Sequence, residues 1–590
     1  MRPFFFLTGA LLALPGTIFG ASGRGHCRCT PEKPCWPSTT KWRALNDSID
    51  GNLLSLKPVG YVCHNPTYDE EACSNLMKMN DNSLWKSGEP GAVLSPNWEI
   101  WPERNESCFA ESPRNAPCGQ GRIPIYSTIV RTPFHIQRAV RFADKHNLRL
   151  VIRNTGHDYL GRSAAPESLQ IFTHHMKDMD FTDDFVPDGK KDGKGVGEAV
   201  TIGAGVQLAE LYRAANKLGK TQVIGLAVSV GAAGGYIQGG GHSPLGPWKG
   251  SSIDHVLEYK LVTAKGKLVT ANEYQNQDLF WALRGGGGGT FGVVYSVTLR
   301  TFKDPPTVFS ALNITTGGTA GESYWNAVEK FHSYLPSISD AGGSGYYYII
   351  PDLDFEGQKV SVVAGIFYFV GRDDKESVDK VFEPILSDIE SLPGVYVPYD
   401  SFQAPSSFAT FQLDGEAADE AAGGADPSIL GSRLYSEKLL RSKNGPGRLA
   451  KAISQLDYSD GTIAIGHLVA GGQVSKNRHV DAALNPSWRD ALTHIAVSRK
   501  WTLSSGPAGL RQVQKKVTNE DVPILAAVEP HMGAYVNEAD VNEPQFQRTF
   551  WGSNYPRLLR IKRKWDPEGL FFVKSGVGSE GWDEQGLCRR

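Results

Sequence analysis

Glycine places the tightest constraint on this chain. Many of its 65 glycines fall in two runs, 231–246 and 285–289, the second continuing as Thr-Phe-Gly292. Backbone without side chains at such density is used where it must approach another backbone or a ligand closely. Gly287, Gly289 and Gly292 make a formal G-x-G-x-x-G. In a dinucleotide-binding βαβ unit that fingerprint follows a strand and opens a helix, so that pyrophosphate meets the helix N-terminus. Here 278–284 reads as a short helix ahead of the run, and 293–299 alternates as a strand behind it. The order is reversed, so the Rossmann reading fails, and the glycines are expected to pack beside an extended ligand.

The 590 residues allow three or four domains, or two large ones, at roughly 100–200 residues each. Hydrophobic residues make up 40% and charged residues 21%, which excludes a mainly disordered or fibrous chain. The 61 basic and 63 acidic residues nearly cancel, so no whole-molecule field draws the protein to nucleic acid or a membrane surface.

Residues 1–21 read as a secretory signal peptide: Met1-Arg2, an apolar run over 4–14, then the small residues Gly20, Ala21 and Ser22. The run is too short to span a bilayer, which takes roughly 20 residues. Cysteine usage fits an exported protein. Cys27, Cys29, Cys35, Cys63, Cys73, Cys108 and Cys118 cluster near the N-terminus, and Cys588 stands alone in the tail. An even number in such a chain reads as disulfides, and a bridge from Cys588 would tie the tail to the N-terminal region. The rival, a zinc site starting at Cys27-x-Cys29, lacks paired C-x-x-C knuckles. Asn46, Asn105 and Asn313 head N-glycosylation sequons.

Residues 22–120, rich in Pro, Asn, Ser and Cys, read as an irregular, crosslinked lead-in. The spacing then predicts a strand over 125–130, a helix opened by Thr132-Pro133 and ending at Asn147, and a second strand over 148–152. Another strand is expected over 199–202, a helix over 207–218 closed by Gly219, and a hairpin around Lys265-Gly266. Asp304-Pro-Pro306 marks a boundary. Beyond it, 306–534 mixes β-branched and aromatic runs (345–350, 359–370, 462–470) with helical stretches such as 323–334. Tyr346-Tyr347-Tyr348 could stack on sugar or phenol rings or belong to a core. The stretch 415–426 reads as an exposed loop, and 546–564 as a helix ended by Trp565-Asp-Pro.

The chemistry concentrates in few places. No H-E-x-x-H or G-x-S-x-G occurs, and His174-His175 are poor joint ligands on any regular element, so no metal is expected. The loop Arg153-Asn-Thr-Gly-His157-Asp158, at a strand end, could form an anion-binding concavity. A lone loop histidine is ordinarily structural, but a second glycine-rich stretch, Ser229-Val-Gly-Ala-Ala-Gly-Gly-Tyr-Ile-Gln-Gly-Gly-Gly-His-Ser243, follows it.

Together with Trp281-Ala-Leu-Arg-Gly-Gly-Gly-Gly-Gly-Thr-Phe-Gly-Val-Val294, these segments resemble the FAD domain of the vanillyl-alcohol oxidase / p-cresol methylhydroxylase superfamily, in its berberine bridge enzyme-like branch. Asn554-Tyr-Pro-Arg-Leu-Leu-Arg-Ile-Lys-Arg-Lys-Trp-Asp-Pro567 resembles that branch's closing segment. The resemblance covers about 120–305 and 535–575 strongly and leaves 22–110 uncovered.

It implies an α+β fold: a p-cresol methylhydroxylase-type FAD domain of two subdomains, split in sequence between 121–305 and 535–590. Between them, 306–534 would form a substrate domain with an antiparallel sheet flanked by helices. His157 would be bonded to the flavin 8α-methyl carbon. Arg153, Asn154, Thr155, Gly156, Asp158 and Ser163 would surround the cofactor. So would Ser229, Val230, Gly231, Gly234, Gly235 and Gly240, with Gly292, Val294 and Asn554. His242, glycine in many relatives, would sit near the ring. Where the family often adds a cysteinyl bond to flavin C6, Ala227 stands here, which implies a single covalent link.

The family places a catalytic residue on a strand before the tail, where this chain has Tyr535-Val-Asn537-Glu538. Plant members use tyrosine at the position aligned with Glu538. A carboxylate there could act as base if burial raises its pKa, or could contact substrate, with Tyr535 as the fallback. The function implied is a secreted FAD-linked oxidase of a small-molecule hydroxyl group (alcohol, carbohydrate or phenolic), with oxygen reduced to hydrogen peroxide. The alternatives are a flavin dehydrogenase using another acceptor, and a flavin-containing or glycan-binding protein without turnover.

Overall fold

Thr132 accepts a hydrogen bond from the His135 N–H, and the helix Pro133–His146 starts from that cap and stops at Asn147, whose φ is 50°. Its apolar face (Ile136, Ala139, Val140, Ala143) covers a sheet in which Tyr126–Ile129 and Arg149–Arg153 both run parallel to Ser168–Phe172. This is the expected strand–helix–strand unit. The computed structural model describes residues 26–412 and 427–590. The signal-peptide reading and the loop expected over 415–426 lie outside the described residues.

The N-terminal region is more than an irregular lead-in. Leu53–Ser55 adds an antiparallel edge to the first sheet through Tyr126–Ile129. Helices Thr39–Asp47, Glu70–Met79 and Ser83–Gly88 follow one another along this region. Trp42 and Leu45 share a core with Ile136 and Leu150. A three-residue strand is too short to register as alternation, so local pattern conceals it.

A second, five-stranded antiparallel sheet holds Met179–Thr182, Ala199–Gly203, Val293–Arg300, Val256–Val262 and Leu268–Asn272, in that spatial order. The expected helix is Leu208–Asn216, with Gly219 beyond it at φ 63°. The helix Gln277–Leu283 precedes the glycine run and a strand follows it, the opposite of a Rossmann turn.

The third sheet is eight-stranded and antiparallel. Along its strands successive side chains face opposite ways. Tyr347, Ile349 and Ile495 pack under helices Glu322–Asp340, Lys375–Glu390 and Gly445–Ser454. Tyr346, His467 and His494 are direct partners across three neighbouring strands, so they form a row on the other face.

Two expectations about the C-terminal segment are corrected. Tyr535–Glu538 is not a strand: the Glu538 N–H turns back to the Tyr535 carbonyl at 3.0 Å. The helix read over 546–564 is two, Phe546–Trp551 and Tyr555–Trp565, because Gly552 breaks it at φ 52° and buried Trp551 bonds the Gly285 carbonyl.

All eight cysteines pair, as Cys27–Cys588, Cys29–Cys35, Cys63–Cys73 and Cys108–Cys118, which leaves none for zinc. The first bridge joins residues 561 apart, and beside it Arg28 bonds the carbonyls of Leu148, Gly569 and Gly586. Cys588→Ser is expected to cost about 2–5 kcal/mol. Guanidinium unfolding of the folded variant checks it, and an unchanged midpoint would mean that the buried arginine alone closes the chain.

Candidate active site

The strand Arg149–Arg153 ends in a loop that opens a slot between the first two sheets. Asn154, Thr155, Gly156, His157, Asp158 and Ser163 line it from that loop. Val230, Gly231, Gly234 and Gly235 line it from the second glycine stretch, and Gly292 and Val294 from the third. Gly288 has no room for a side chain: a Cβ there would stand 2.6 Å from the Gly235 Cα. The two glycine runs therefore meet backbone to backbone. Around Gly234 and Gly235, by contrast, a Cβ would meet nothing within 4 Å, because both face the open slot.

His157 is held from behind. Its Nε2 lies 2.6 Å from Ser229 Oγ, and Ser229 Oγ lies 2.9 Å from Ser83 Oγ on the N-terminal helix. Burial, helped by the Arg153 charge, pushes the imidazole down to about 4, so it is neutral at neutral pH. Arg153 itself turns away from the slot and donates to the carbonyls of Lys86, Pro90 and Ala92. It fastens the N-terminal region under the loop and lines no part of the slot.

Asp158 is paired with Arg162, whose Nη2 donates to Asn537 Oδ1 at 3.0 Å. Asn537 Nδ2 in turn donates to the Gly235 carbonyl (2.9 Å) and to the Tyr535 hydroxyl (2.7 Å). This chain of bonds locks the C-terminal segment across the slot and places Tyr535 and Glu538 in its wall.

Glu538 is the centre of a histidine cluster. Oε1 is 2.9 Å from His242 Nε2, while Oε2 is 3.7 Å from His467 Nε2 and 3.6 Å from His494 Nδ1. Burial alone would raise this carboxyl. The charge and hydrogen bond of His242, with His467 and His494 beyond, outweigh it and hold Glu538 below the ordinary carboxylate range. The expectation of a base raised by burial is thus corrected. Burial pushes His467 down and His494 well down, against the pull of the Glu538 charge. Burial, with Glu538 nearby, pushes the Tyr535 phenol well up, so it keeps its proton.

Besides Arg153, four expected residues lie off the slot, His242 among them, behind Glu538. Gly240 sits behind Tyr535 and Leu484, Ser229 is behind His157, and Asn554 donates to the Leu484 carbonyl at 2.8 Å. Ala227 does line the slot. Sequence reasoning missed Arg162 and Asn537 as a tie, and His467 and His494 as neighbours of Glu538. A histidine inside the apolar run 462–470 was the available signal.

FAD fits these residues. Gly234 and Gly235 leave the cradle that a side chain would fill, and Asn154 Oδ1 and Gln238 Oε1 are buried beside it without a hydrogen-bond partner. A family model described as an FAD binding domain matches residues 124–272, and one described as berberine and berberine like matches 534–578. The chain is 59% identical over 589 residues to an uncharacterized FAD-linked oxidoreductase of Arthroderma benhamiae, covering 100% of both. It is 40% identical to the FAD-linked oxidoreductase malF of Malbranchea aurantiaca, over 99% of this chain and 97% of that one. The VAO-type flavoprotein MtVAO615 of Myceliophthora thermophila C1 has the same fold, with a TM-score of 0.85 at 33% identity over 96% and 100% of the two chains. The protein belongs to the FAD-linked oxidoreductases of the vanillyl-alcohol oxidase and berberine bridge enzyme-like family.

Proposed function

We propose that this FAD-linked oxidoreductase oxidises a hydroxyl group of a small alcohol, carbohydrate or phenolic compound and passes the electrons to dioxygen, releasing hydrogen peroxide. The observation that supports it is the ionised Glu538 in the wall of the slot, backed by an imidazole at 2.9 Å. FAD in the slot supplies the hydride acceptor. The protein must take the hydroxyl proton. Asp158 is neutralised by Arg162, which leaves Glu538 as the slot-lining carboxylate, among the described residues, without a guanidinium partner. His242, by donating its Nε2–H to Oε1 at 2.9 Å, holds the carboxylate in place to take that proton. Tyr535 keeps its own proton and serves to position Asn537 and Glu538.

His157 would carry the flavin through Nδ1, the nitrogen that Ser229 does not engage. Ala227 in the slot, and the absence of any free thiol, support a single covalent link. The disulfides fit secretion. Asn105 and Asn313 are exposed and Asn46 half-buried, as acceptors of N-glycans.

Anaerobic addition of alcohols, sugars and phenols tests the reading. At least one should bleach the flavin, with fast recolouring and peroxide release in air. Recolouring only with a quinone would make the protein a dehydrogenase. No bleaching across the panel would overturn hydroxyl oxidation in favour of a binding role.

A further inference from the structure

We propose that Glu538, His242 and His467 form a binding site for a divalent transition-metal ion of the zinc class, and that metal there blocks proton uptake from substrate. The blocking half rests on the catalytic reading above; the binding half does not.

Three side-chain ligand atoms, His242 Nε2, His467 Nε2 and a Glu538 carboxylate oxygen, lie within 4.8 Å of one another. Ligands at about 2.0–2.2 Å around tetrahedral zinc sit roughly 3.3 Å apart. Of the two carboxylate oxygens, Oε1 stands 2.9 Å from His242 Nε2 and Oε2 stands 3.7 Å from His467 Nε2, on either side of that spacing. Two imidazoles with one carboxylate make a nitrogen-rich set that suits zinc, copper or nickel over calcium or magnesium.

Hydrogen bonding points to a cation independently. The ring nitrogen His467 Nδ1 lies 3.1 Å from the His494 carbonyl, which can only accept, so Nδ1 carries the proton. His467 Nε2 then faces Glu538 Oε2 across 3.7 Å, too far for a hydrogen bond. Oε2 is buried with no hydrogen-bond partner, and so are both ring nitrogens of His494, which is fully buried. Buried polar atoms left so are costly, and a bound cation satisfies several at once. A histidine that donates one ring N–H to a backbone carbonyl and aims the other nitrogen inward has the usual bearing of a metal ligand. His494 Nδ1, 3.6 Å from Oε2, is in place as a further neighbour.

Metal binding takes the Glu538 and His242 atoms that share the 2.9 Å hydrogen bond. Metal at Nε2 displaces the proton held there and leaves His242 with its N–H at Nδ1, a buried atom without a protein partner. A substrate proton then finds its acceptor occupied.

The test uses the flavin-loaded protein. After incubation with zinc sulfate and gel filtration, elemental analysis should find about one zinc per chain, and cobalt(II) should give tetrahedral ligand-field bands. His467→Ala should weaken zinc binding by about 100-fold or more, with flavin content unchanged. Exposed His479→Ala should leave it intact. Zinc should also slow anaerobic flavin reduction in the parent. Absence of stoichiometric metal, or equal retention by His467→Ala, would overturn the site. Zinc bound without slower reduction would overturn the blocking half. If Glu538→Gln reduces flavin normally, the catalytic reading fails while the metal count stands by itself.

Discussion

His157→Ala is expected to turn a yellow acid-precipitated pellet colourless, with essentially all of the flavin moving to the supernatant. His157 is the histidine lining the slot among the described residues. Its ring is aimed by the 2.6 Å contact to Ser229, which is backed by Ser83 at 2.9 Å. With Nε2 engaged, Nδ1 would be the nucleophile. Burial and the Arg153 charge, by pushing the ring down to about 4, keep the attacking form populated at neutral pH. A bond between that nitrogen and the flavin 8α carbon would release one proton from each partner, with dioxygen as the two-electron oxidant. Every cysteine is in a disulfide, so no thiol can supply a second attachment. In-gel flavin fluorescence after denaturation reads the same property. A parent that loses its colour on unfolding, or a variant that keeps it, would sink the covalent assignment.

What the sequence made legible was what local pattern encodes. The cap at Thr132-Pro133, the stop at Asn147 and the helix-before, strand-after setting of the glycine run all follow from spacing and turn chemistry, and all appear in the fold. The resemblance gathered loop, glycine runs and tail, and the slot brings Asn154, His157, Val230, Gly292 and Glu538 together. What stayed hidden depends on register and distant contact. Arg153 stands beside His157 in sequence, yet its guanidinium serves three carbonyls of the N-terminal region. Nothing near residue 83 announces that its hydroxyl supports Ser229. His467 and His494 meet because strands Ile463–Leu468 and Ala491–Lys500 pair in one register, and a slip of one residue would put them on opposite faces. The charge state of Glu538 was misjudged for the same reason, since burial was foreseeable but the histidines around it were not.

Glu538→Gln is expected to lower the rate of anaerobic flavin reduction by about 10²–10⁴, while the protein keeps its flavin and its yellow pellet. The substitution preserves shape, and the amide oxygen can still accept from His242 Nε2, so the wall of the slot survives. What is lost is the negative charge, and with it the capacity to receive a proton as hydride leaves the adjacent carbon. Tyr535→Phe separates this role from that of its neighbour. Its phenol is already protonated and is held by the Asn537 amide at 2.7 Å, so removing the hydroxyl should loosen Asn537 and slow reduction by less than about tenfold. The reverse ranking, with the phenylalanine variant crippled and the glutamine variant near normal, would move proton acceptance from the carboxylate to the phenol. His242 then completes the argument: because its Nε2–H holds the Glu538 carboxylate across 2.9 Å, His242→Ala should slow reduction although the imidazole lies behind the wall of the slot.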